Sequence, residues 1–244
     1  MTVRPIKTSL IKVGDDLSEV IAQSVPELAE GSVMVVTSKV VAVSQGRAVA
    51  KDQTDKEALV RQQADRYIDS HQSRYGVTLT IKDHLLAVNA GLDQSNADQN
   101  YVLLPSNSYQ SARQLWHFLR RQYAVERCGV VISDSTTFPL KWGVIGRALG
   151  YCGFVALNDL IGRPDLYHQP MSFTKVNVAE GIAAAAVLEM GEAAEQTPLC
   201  LVEDVTHLRF QDRPPTSQEL EDLLIEPEDD VFAPVLLAAP WQRG

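Results

Sequence analysis

Three polar segments of the chain each follow an apolar run, and each carries a carboxylate. The carboxylates are Asp93, Asp134 and Glu192, in the segments 89–96, 133–137 and 191–198. Oxygen ligands without histidine or cysteine suit Mg²⁺ or Mn²⁺ rather than zinc. If two of these segments converge in the folded chain, they could hold a metal ion on the phosphates of a nucleotide. If they do not, they are ordinary surface acids, and composition alone favours this second interpretation.

The central stretch, residues 129–150, shows this pattern most clearly. The apolar run 130–132 predicts a short buried strand, and the polar cluster 133–137 predicts a loop at its end. Residues 143–146 predict a Gly-rich turn, and the segment after them has helical spacing. A carboxylate and several hydroxyls between a strand and a Gly-rich turn suit a hard cation or a phosphate. Alternatively Asp134 only caps a helix, which is the simpler interpretation of this stretch alone.

Composition limits the classes of function that the chain can have. With 244 residues, 45% of them hydrophobic and 22% charged, it can form one or two globular domains with a full core. The net charge of −9 argues against nucleic acid as a main partner. No apolar run approaches the roughly 20 residues that span a bilayer, and the N-terminus lacks the apolar core of a signal peptide. We therefore expect a cytoplasmic protein with no nucleic-acid or membrane partner.

The three cysteines support the same expectation. Cys128, Cys152 and Cys200 are odd in number, scattered, and set among largely apolar neighbours. This pattern is typical of buried small hydrophobes in a reducing compartment and not of a disulfide framework or a zinc site.

The remaining pattern predicts an α+β fold with mixed sheets and flanking helices. Strands are predicted over residues 32–36, 77–81, 85–88, 101–104, 151–157, 176–178 and 199–202. Helices are predicted after a cap at Asp15 or Asp16, over 51–75, 111–123 and 179–190, and after a cap at Ser217. The strands do not alternate with helices in a regular βαβ rhythm, so a doubly wound sheet is not favoured.

Six sequence blocks carry a family resemblance. They are VVTSKVVAVSQGR (35–47), NAGLDQSN (89–96), VVISDS (130–135), GVIGRALGYCGF (143–154), LIGRPDLY (160–167) and VAEGIAAAAVLEMGEAAEQTP (178–198). In this order and spacing the chain resembles the coenzyme F420-0:γ-glutamyl ligase family. One block would be weak evidence, but the ordered set covers most of the chain. The resemblance implies one ligase unit over residues 1–244 with two interleaved subdomains, assembled as an interwoven homodimer; residues 213–244 form a C-terminal tail.

The resemblance also implies a reaction and its site. The family joins L-glutamate to an acceptor carboxylate through an acyl-phosphate, using GTP and divalent cations, and ATP stays open as the nucleotide. Asp93 and Asp134 would act as catalytic residues and bind one Mg²⁺ or Mn²⁺, while Ser135 and Glu192 would bind the second. The implied nucleotide-binding residues are Ile6, Lys7, Thr8, Ser9, Ser38, Lys39, Asn96, Met190, Gly191, Ala193, Ala194, Glu195, Gln196 and Thr197.

The chain's own motifs agree with this chemistry. It contains no G-x-x-x-x-G-K-[ST] segment, so a nucleotide would bind through another architecture than a P-loop. It also contains no G-x-S-x-G elbow, and phosphoryl transfer needs no nucleophilic side chain. Lys39 could act as a point charge on a phosphate. Arg147 and Arg163 could contact substrate carboxylates or phosphates, or form ordinary surface ion pairs.

Two departures from the family pattern leave the acceptor open. Many family members have a second lysine where this chain has Val43, and many have a Gly-Arg loop where it has residues 135–142. That loop is expected to face the acceptor, so a folate is the main rival to F420-0. A non-catalytic nucleotide- or metal-binding homologue is a second hypothesis. A structural or interaction protein with merely polar loops is a third.

Overall fold

The computed structural model describes residues 1–244 and confirms the α+β class. The strands are β1 (Thr2–Ile6), β2 (Ser32–Thr37), β3 (Ala48–Ala50), β4 (Arg66–Ile68), β5 (Leu79–Lys82), β6 (Leu85–Val88), β7 (Asn100–Val102), β8 (Cys128–Thr137), β9 (Val144–Cys152), β10 (Leu157–Asp159), β11 (Lys175–Asn177), β12 (Leu199–Glu203) and β13 (Gln242–Arg243). The helices are α1 (Leu17–Ser24), α2 (Ser38–Ser44), α3 (Lys56–Gln63), α4 (Ser108–Tyr123), α5 (Val178–Met190), α6 (Ser217–Glu221) and α7 (Ala233–Leu236). Short 3₁₀ turns cover Ser70–Gln72 and Asn89–Gly91.

A five-stranded sheet forms the centre of the molecule, in the order β1-β12-β2-β8-β9. Only β2 and β8 are parallel neighbours, so the sheet is mixed. Alternate residues of β2 enter different cores: Met34 and Val36 pack with α1 and α4, whereas Val33 and Val35 pack with α5. Because helices cover both faces, β2 and the first half of β8 consist almost entirely of buried apolar residues.

A second unit is inserted between α2 and α4. It contains the four-stranded sheet β13-β4-β5-β6, the β3–β7 pair and α3. Its small core consists of Leu59, Val60, Ala64, Ala90 and Leu92. The C-terminal tail returns to this unit, where Gln242 pairs with Tyr67 at the edge of the sheet.

The polar segment 133–137, predicted as a loop, is instead the second half of β8. It pairs with β9, which also contains most of the predicted Gly-rich turn 143–146 and the start of the segment after it that was predicted as helical. Apolar residues in such a short segment fit both periods, and contacts distant in sequence decide between them. One such contact is at Gly146, where a Cβ atom would overlap the Ala183 carbonyl oxygen of α5.

Other predicted boundaries also change. The helix predicted over 51–75 covers only α3, because residues 66–68 pair as β4 with β5 and β13. The strand predicted over 151–157 is interrupted at Gly153, whose φ of +87° brings the backbone against the Trp116 indole. Thr216 rather than Ser217 caps α6, in a capping box with Glu219.

Several expectations are confirmed. Asp16 caps α1, and β2, β6, α4, α5 and β12 lie within a few residues of their predicted positions. All three cysteines are free and buried. None of the helices combines the length and the apolar character that crossing a bilayer requires.

Candidate active site

The topology of the central sheet brings the polar segments together at the edge that is formed by the ends of its strands. The parallel strands β2 and β8 run toward this edge, and β12, antiparallel to β2, begins there. β1 also ends there, with Ile6 opposite Leu199. Two backbone hydrogen bonds join the converging segments: Thr8 N–H to the Gln196 carbonyl (3.1 Å) and Thr37 N–H to the Pro198 carbonyl (3.0 Å). The residues that follow β1 and β2 therefore meet those that precede β12.

Strand β8 continues past the end of β2, and this overhang leaves the central acid without a neighbouring strand on one side. Thr37, the last residue of β2, pairs with Ser133 of β8, and β8 runs on to Thr137. Asp134 and Ser135 therefore have β9 on one side and no β2 neighbour on the other. The gap opens into a cleft of about 400 Å³.

The cleft gathers nearly all of the predicted site residues. Those that line it are Thr8, Ser9, Ser38, Lys39, Asp93, Asn96, Asp134, Ser135, Met190, Gly191, Glu192, Ala193, Ala194, Glu195, Gln196 and Thr197. Two predicted residues do not: Ile6 is buried in the core, and the exposed Lys7 lies outside the lining. Val43, at the position where many family members have a lysine, also lines the cleft.

Asp134 is held on its strand by hydrogen bonds from its surroundings. The Ser38 hydroxyl at the start of α2 donates to Oδ1 of Asp134 at 2.9 Å. Burial raises the pKa of Asp134 to about 6; the hydrogen bonds from Ser38 and from the Ser135 N–H, together with the nearby Arg147 charge, act in the opposite direction. The proximity of Asp93 contributes to the rise. Asp134 is therefore an acid whose charge is only weakly compensated by the protein.

Asp93 lies in the loop after β6 and is compensated much more fully. Its Oδ2 forms an ion pair with Lys39 Nζ at 2.7 Å, and its Oδ1 accepts from the Ser95 N–H (2.7 Å) and hydroxyl (2.8 Å). Burial opposes the charged form, but Lys39 and Ser95 outweigh it, so the pKa of Asp93 lies below its usual value. Lys39 also donates to the Ser95 carbonyl (3.0 Å) and hydroxyl (3.1 Å).

Glu192 reaches the same cleft from the end of α5. The Ser135 hydroxyl donates to Oε1 of Glu192 at 2.6 Å. The Asn96 amide donates to the Ala193 carbonyl at 2.8 Å, which links the Asp93 loop to the loop after α5. The Thr197 hydroxyl closes the latter loop on the Met190 carbonyl at 2.6 Å.

These residues fit divalent cations as two pairs of oxygen donors. No three His, Cys, Asp or Glu side chains group closely enough to hold a metal by themselves. Asp93 with Asp134, and Ser135 with Glu192, would each supply two oxygens; Mg²⁺ commonly takes its remaining ligands from water and phosphate. The Ser133 hydroxyl lines the cleft, is buried and has no hydrogen-bond partner, which is consistent with a polar ligand there.

The charge of the cleft points the same way. Its charged lining residues are the four carboxylates Asp93, Asp134, Glu192 and Glu195 and a single cation, Lys39. A polyphosphate would be repelled by this set unless metal ions accompanied it.

Sequence reasoning missed Ser95 and Ser133 as parts of the site. Ser133 directly precedes Asp134 and Ser95 lies two residues after Asp93, but which side chain enters the cleft depends on a turn at Ser95 and on strand direction at Ser133. Adjacency to Asp93 and Asp134 was the one signal that could have found them.

Comparison with known proteins identifies the family of the chain that forms this cleft. The sequence model of the F420-0:Gamma-glutamyl ligase family matches residues 5–204. The chain is 34% identical over 204 residues to the Coenzyme F420:L-glutamate ligase of Methanopyrus kandleri, covering 77% of this chain and 80% of that protein. It is 31% identical over 207 residues to the protein of the same name from Archaeoglobus fulgidus, covering 79% and 83%. With that from Methanocaldococcus jannaschii it shares 28% over 232 residues, covering 89% and 90%. The chain belongs to the F420-0:gamma-glutamyl ligase family.

Proposed function

We propose that this protein is a nucleotide-dependent ligase that forms an amide between L-glutamate and a carboxylate of an F420-0-like acceptor. The observation that carries the proposal is the convergence of Asp93, Asp134, Ser135 and Glu192 on one cleft. Family membership supports the reaction class, since the relatives are named Coenzyme F420:L-glutamate ligase. GTP is the expected nucleotide, and ATP is the alternative to be compared with it.

The reaction needs activation of a carboxylate, which an amine does not attack directly. An acceptor carboxylate oxygen would attack the γ-phosphorus of the nucleotide, so that the nucleoside diphosphate leaves and an acyl-phosphate forms. The glutamate amine would then attack the acyl carbon, phosphate would leave, and the nitrogen would lose a proton. Two divalent cations, when bound, would neutralise the phosphate charge that develops in the first step.

The side chains of the chain have positioning and electrostatic tasks in this scheme. Asp93 and Asp134 would fix one cation and Ser135 and Glu192 the other, so that the reacting phosphate is held at the overhang of β8. No side chain needs to become covalently modified, in line with a cleft that lacks cysteine and histidine.

Lys39 would change partners during this cycle. Its Nζ neutralises Asp93 through an ion pair with Oδ2 at 2.7 Å. A cation bound to Asp93 would add positive charge at the same carboxylate. With a cation held by Asp93, the Lys39 ammonium would be repelled from that carboxylate and would be free to contact a phosphate. The absence of a second lysine at Val43 makes Lys39 the single cationic side chain in the cleft.

The acceptor would approach from the turn between β8 and β9. Phe138, Leu140 and Trp142 are exposed on this turn, and Trp142 makes an edge contact with Tyr75 of the second unit. The turn differs from the Gly-Arg loop of many family members, so a folate is tested beside F420-0.

We further infer a homodimer. The arm around β10 and β11 carries Leu166, Tyr167 and Phe173, which are 94%, 83% and 90% exposed in the single chain. Apolar side chains so exposed on one arm are typical of a surface covered by a partner, and a second copy is the partner that the family resemblance of the sequence implies. Light scattering coupled to gel filtration tests this inference, and a monomer at micromolar concentration would refute it.

The ligase is tested by incubating the protein with GTP or ATP, Mn²⁺ and labelled glutamate, with F420-0 or folate as acceptor. We expect label in one acceptor and stoichiometric release of phosphate. The matched control is Asp98→Asn, which removes an exposed acid of the same loop that lies outside the cleft. Nucleotide binding without label in either acceptor would favour the non-catalytic homologue.

A further inference from the structure

Arg147 lies beside the proposed metal site but outside its lining. It occupies β9 directly opposite Asp134 of β8, so the two side chains leave the sheet on the same face. Its Nη1 donates to the Leu86 carbonyl of β6 at 3.1 Å and to the Thr136 hydroxyl at 3.3 Å. The guanidinium thus connects the central sheet to the sheet of the second unit.

The carbonyl that Arg147 holds belongs to the strand that leads into the Asp93 loop. β6 ends at Val88, and the 3₁₀ turn Asn89–Gly91 and Leu92 follow before Asp93. This connection is short and firmly held: the Ala90 N–H donates to the Thr80 hydroxyl at 2.9 Å, and Leu92 is buried. A displacement of β6 would therefore move Asp93 by a similar amount.

We infer that Arg147 is a positioning residue that ties β6, and through it Asp93, to the strand that carries Asp134. The inference rests on the proposed function only in so far as these two acids share a cation. Removing Arg147 would remove the charged hydrogen bond that joins the second unit to β8 and β9 near the site. The distance between the two carboxylates would then widen and fluctuate.

The incomplete bonding of Arg147 supports this role over simple packing. Its Nε is buried and has no hydrogen-bond partner, although a buried unpaired donor normally lowers the stability of the folded state. A geometry retained despite this cost is typical of a group held for function. The one hydrogen bond that Arg147 makes outside its own hairpin is the solvent-exposed bond to β6.

A rival role makes the opposite prediction. Arg147 also lies near Glu180 and Asp134, and it could act only as their counter-charge. In that case its removal takes a positive charge away from a cation site, and the affinity for Mn²⁺ increases. As a positioning residue it has the reverse effect, because two carboxylates that lose their fixed separation bind one cation less well.

Arg147→Met distinguishes the two roles in a titration of the full chain with Mn²⁺ alone, followed by electron paramagnetic resonance. The titration is done at pH 8.5, where Asp134 is ionised with or without Arg147. We expect about tenfold weaker binding in Arg147→Met and a smaller loss in Arg147→Lys, which keeps the charge but lacks the planar fork. Arg121→Met removes an exposed arginine of α4 and is the charge-matched control, expected to bind Mn²⁺ as the wild type does. Unchanged or tighter binding in Arg147→Met would overturn the inference.

Hydrogen exchange gives a second readout that needs no metal. In Arg147→Met, amides of residues 86–93 should exchange at least tenfold faster, while those of residues 128–132 in the central sheet keep their protection. If Arg147→Met does not fold, Arg147→Lys and Thr136→Val serve in its place, with smaller changes in the same segment. Unchanged exchange over residues 86–93 would refute the tether. A wild-type protein that binds no Mn²⁺ would refute the proposed function instead, and exchange would still decide on Arg147.

Discussion

The two acids proposed to share a cation lie in different structural settings. Asp134 belongs to a strand of the central sheet, and burial raises its pKa to about 6. Asp93 belongs to a loop of the inserted unit, where Lys39 and Ser95 keep its pKa below the usual value. Neighbouring carboxylates whose pKa values are displaced in opposite directions are typical of functional sites. The strand holds Asp134 in a fixed position, with a charge that the protein compensates only weakly. The loop holds Asp93, whose partner Lys39 would be exchangeable for a cation.

The largest effect that separates the two acids is expected from Asp134→Asn and Asp93→Asn. Each should lower metal-dependent turnover by about 10³-fold, since each removes a charged oxygen ligand of the proposed site. Their effects on the metal-free fold should differ in sign. Asp134→Asn removes a buried, poorly compensated charge and should stabilise the protein by about 1–2 kcal/mol at pH 7.5. Asp93→Asn breaks a half-exposed ion pair and should destabilise it by less than about 1 kcal/mol.

Turnover by labelled-glutamate incorporation and urea unfolding without metal measure the two quantities. Asp98→Asn again serves as the control and should change neither. Wild-type turnover in Asp134→Asn would refute the proposed role of Asp134. Changes of the same sign in the free energy of unfolding of Asp134→Asn and Asp93→Asn would contradict the proposed difference between the two acids.

The pH dependence sharpens the comparison, because of these two acids only Asp134 has a raised pKa. Below pH 6 a cation must displace a proton from Asp134, so Mn²⁺ affinity should fall about tenfold per pH unit and level off above pH 7. In the metal-free protein the folded state holds this proton between about pH 4 and pH 6 while the unfolded state releases it. The contribution of Asp134 to stability is therefore present at low pH and is lost as the pH rises through about 6.

Calorimetric Mn²⁺ titrations and unfolding curves between pH 4.5 and 8 measure both trends. Asp134→Asn should flatten its share of the stability profile. A wild-type affinity that stays constant down to pH 5 would show that Asp134 is ionised throughout and would contradict the assigned cause.

The smallest effect concerns the exchangeable partner of Asp93. Lys39→Met should bind Mn²⁺ alone a few-fold more tightly, because the ammonium that competes for Asp93 is gone. The same variant should bind the Mn²⁺–nucleotide complex about tenfold more weakly, because a phosphate contact is lost. Opposite changes in the two affinities, measured by calorimetry, are the expected signature. A loss of both affinities would mean that Lys39 only braces the loop.

Much of the site was accessible from the residues themselves. Oxygen-bearing side chains without histidine or cysteine indicated which metal ions could bind if the segments converged, and the ordered blocks predicted the family that the comparisons confirm. Local signals were also sufficient for Asp16 at the start of α1 and for the buried strands β2 and β12. These features depend on residue type and on short-range periodicity, which a sequence displays directly.

Pairing between distant segments decided the rest. The sequence alone assigned residues 133–137 to a loop and the segment after Gly146 to a helix, because short patterns of this kind fit more than one period. Pairing between β8 and β9 makes both of them strands. The meeting of Asp93, Asp134 and Glu192, the ion pair from Lys39 to Asp93, and the bond from Arg147 to β6 all join residues far apart in the chain. Hydrogen bonding across a sheet is non-local, so composition could not choose between surface acids and a shared cleft. The common edge of β1, β2, β8 and β12 made that choice.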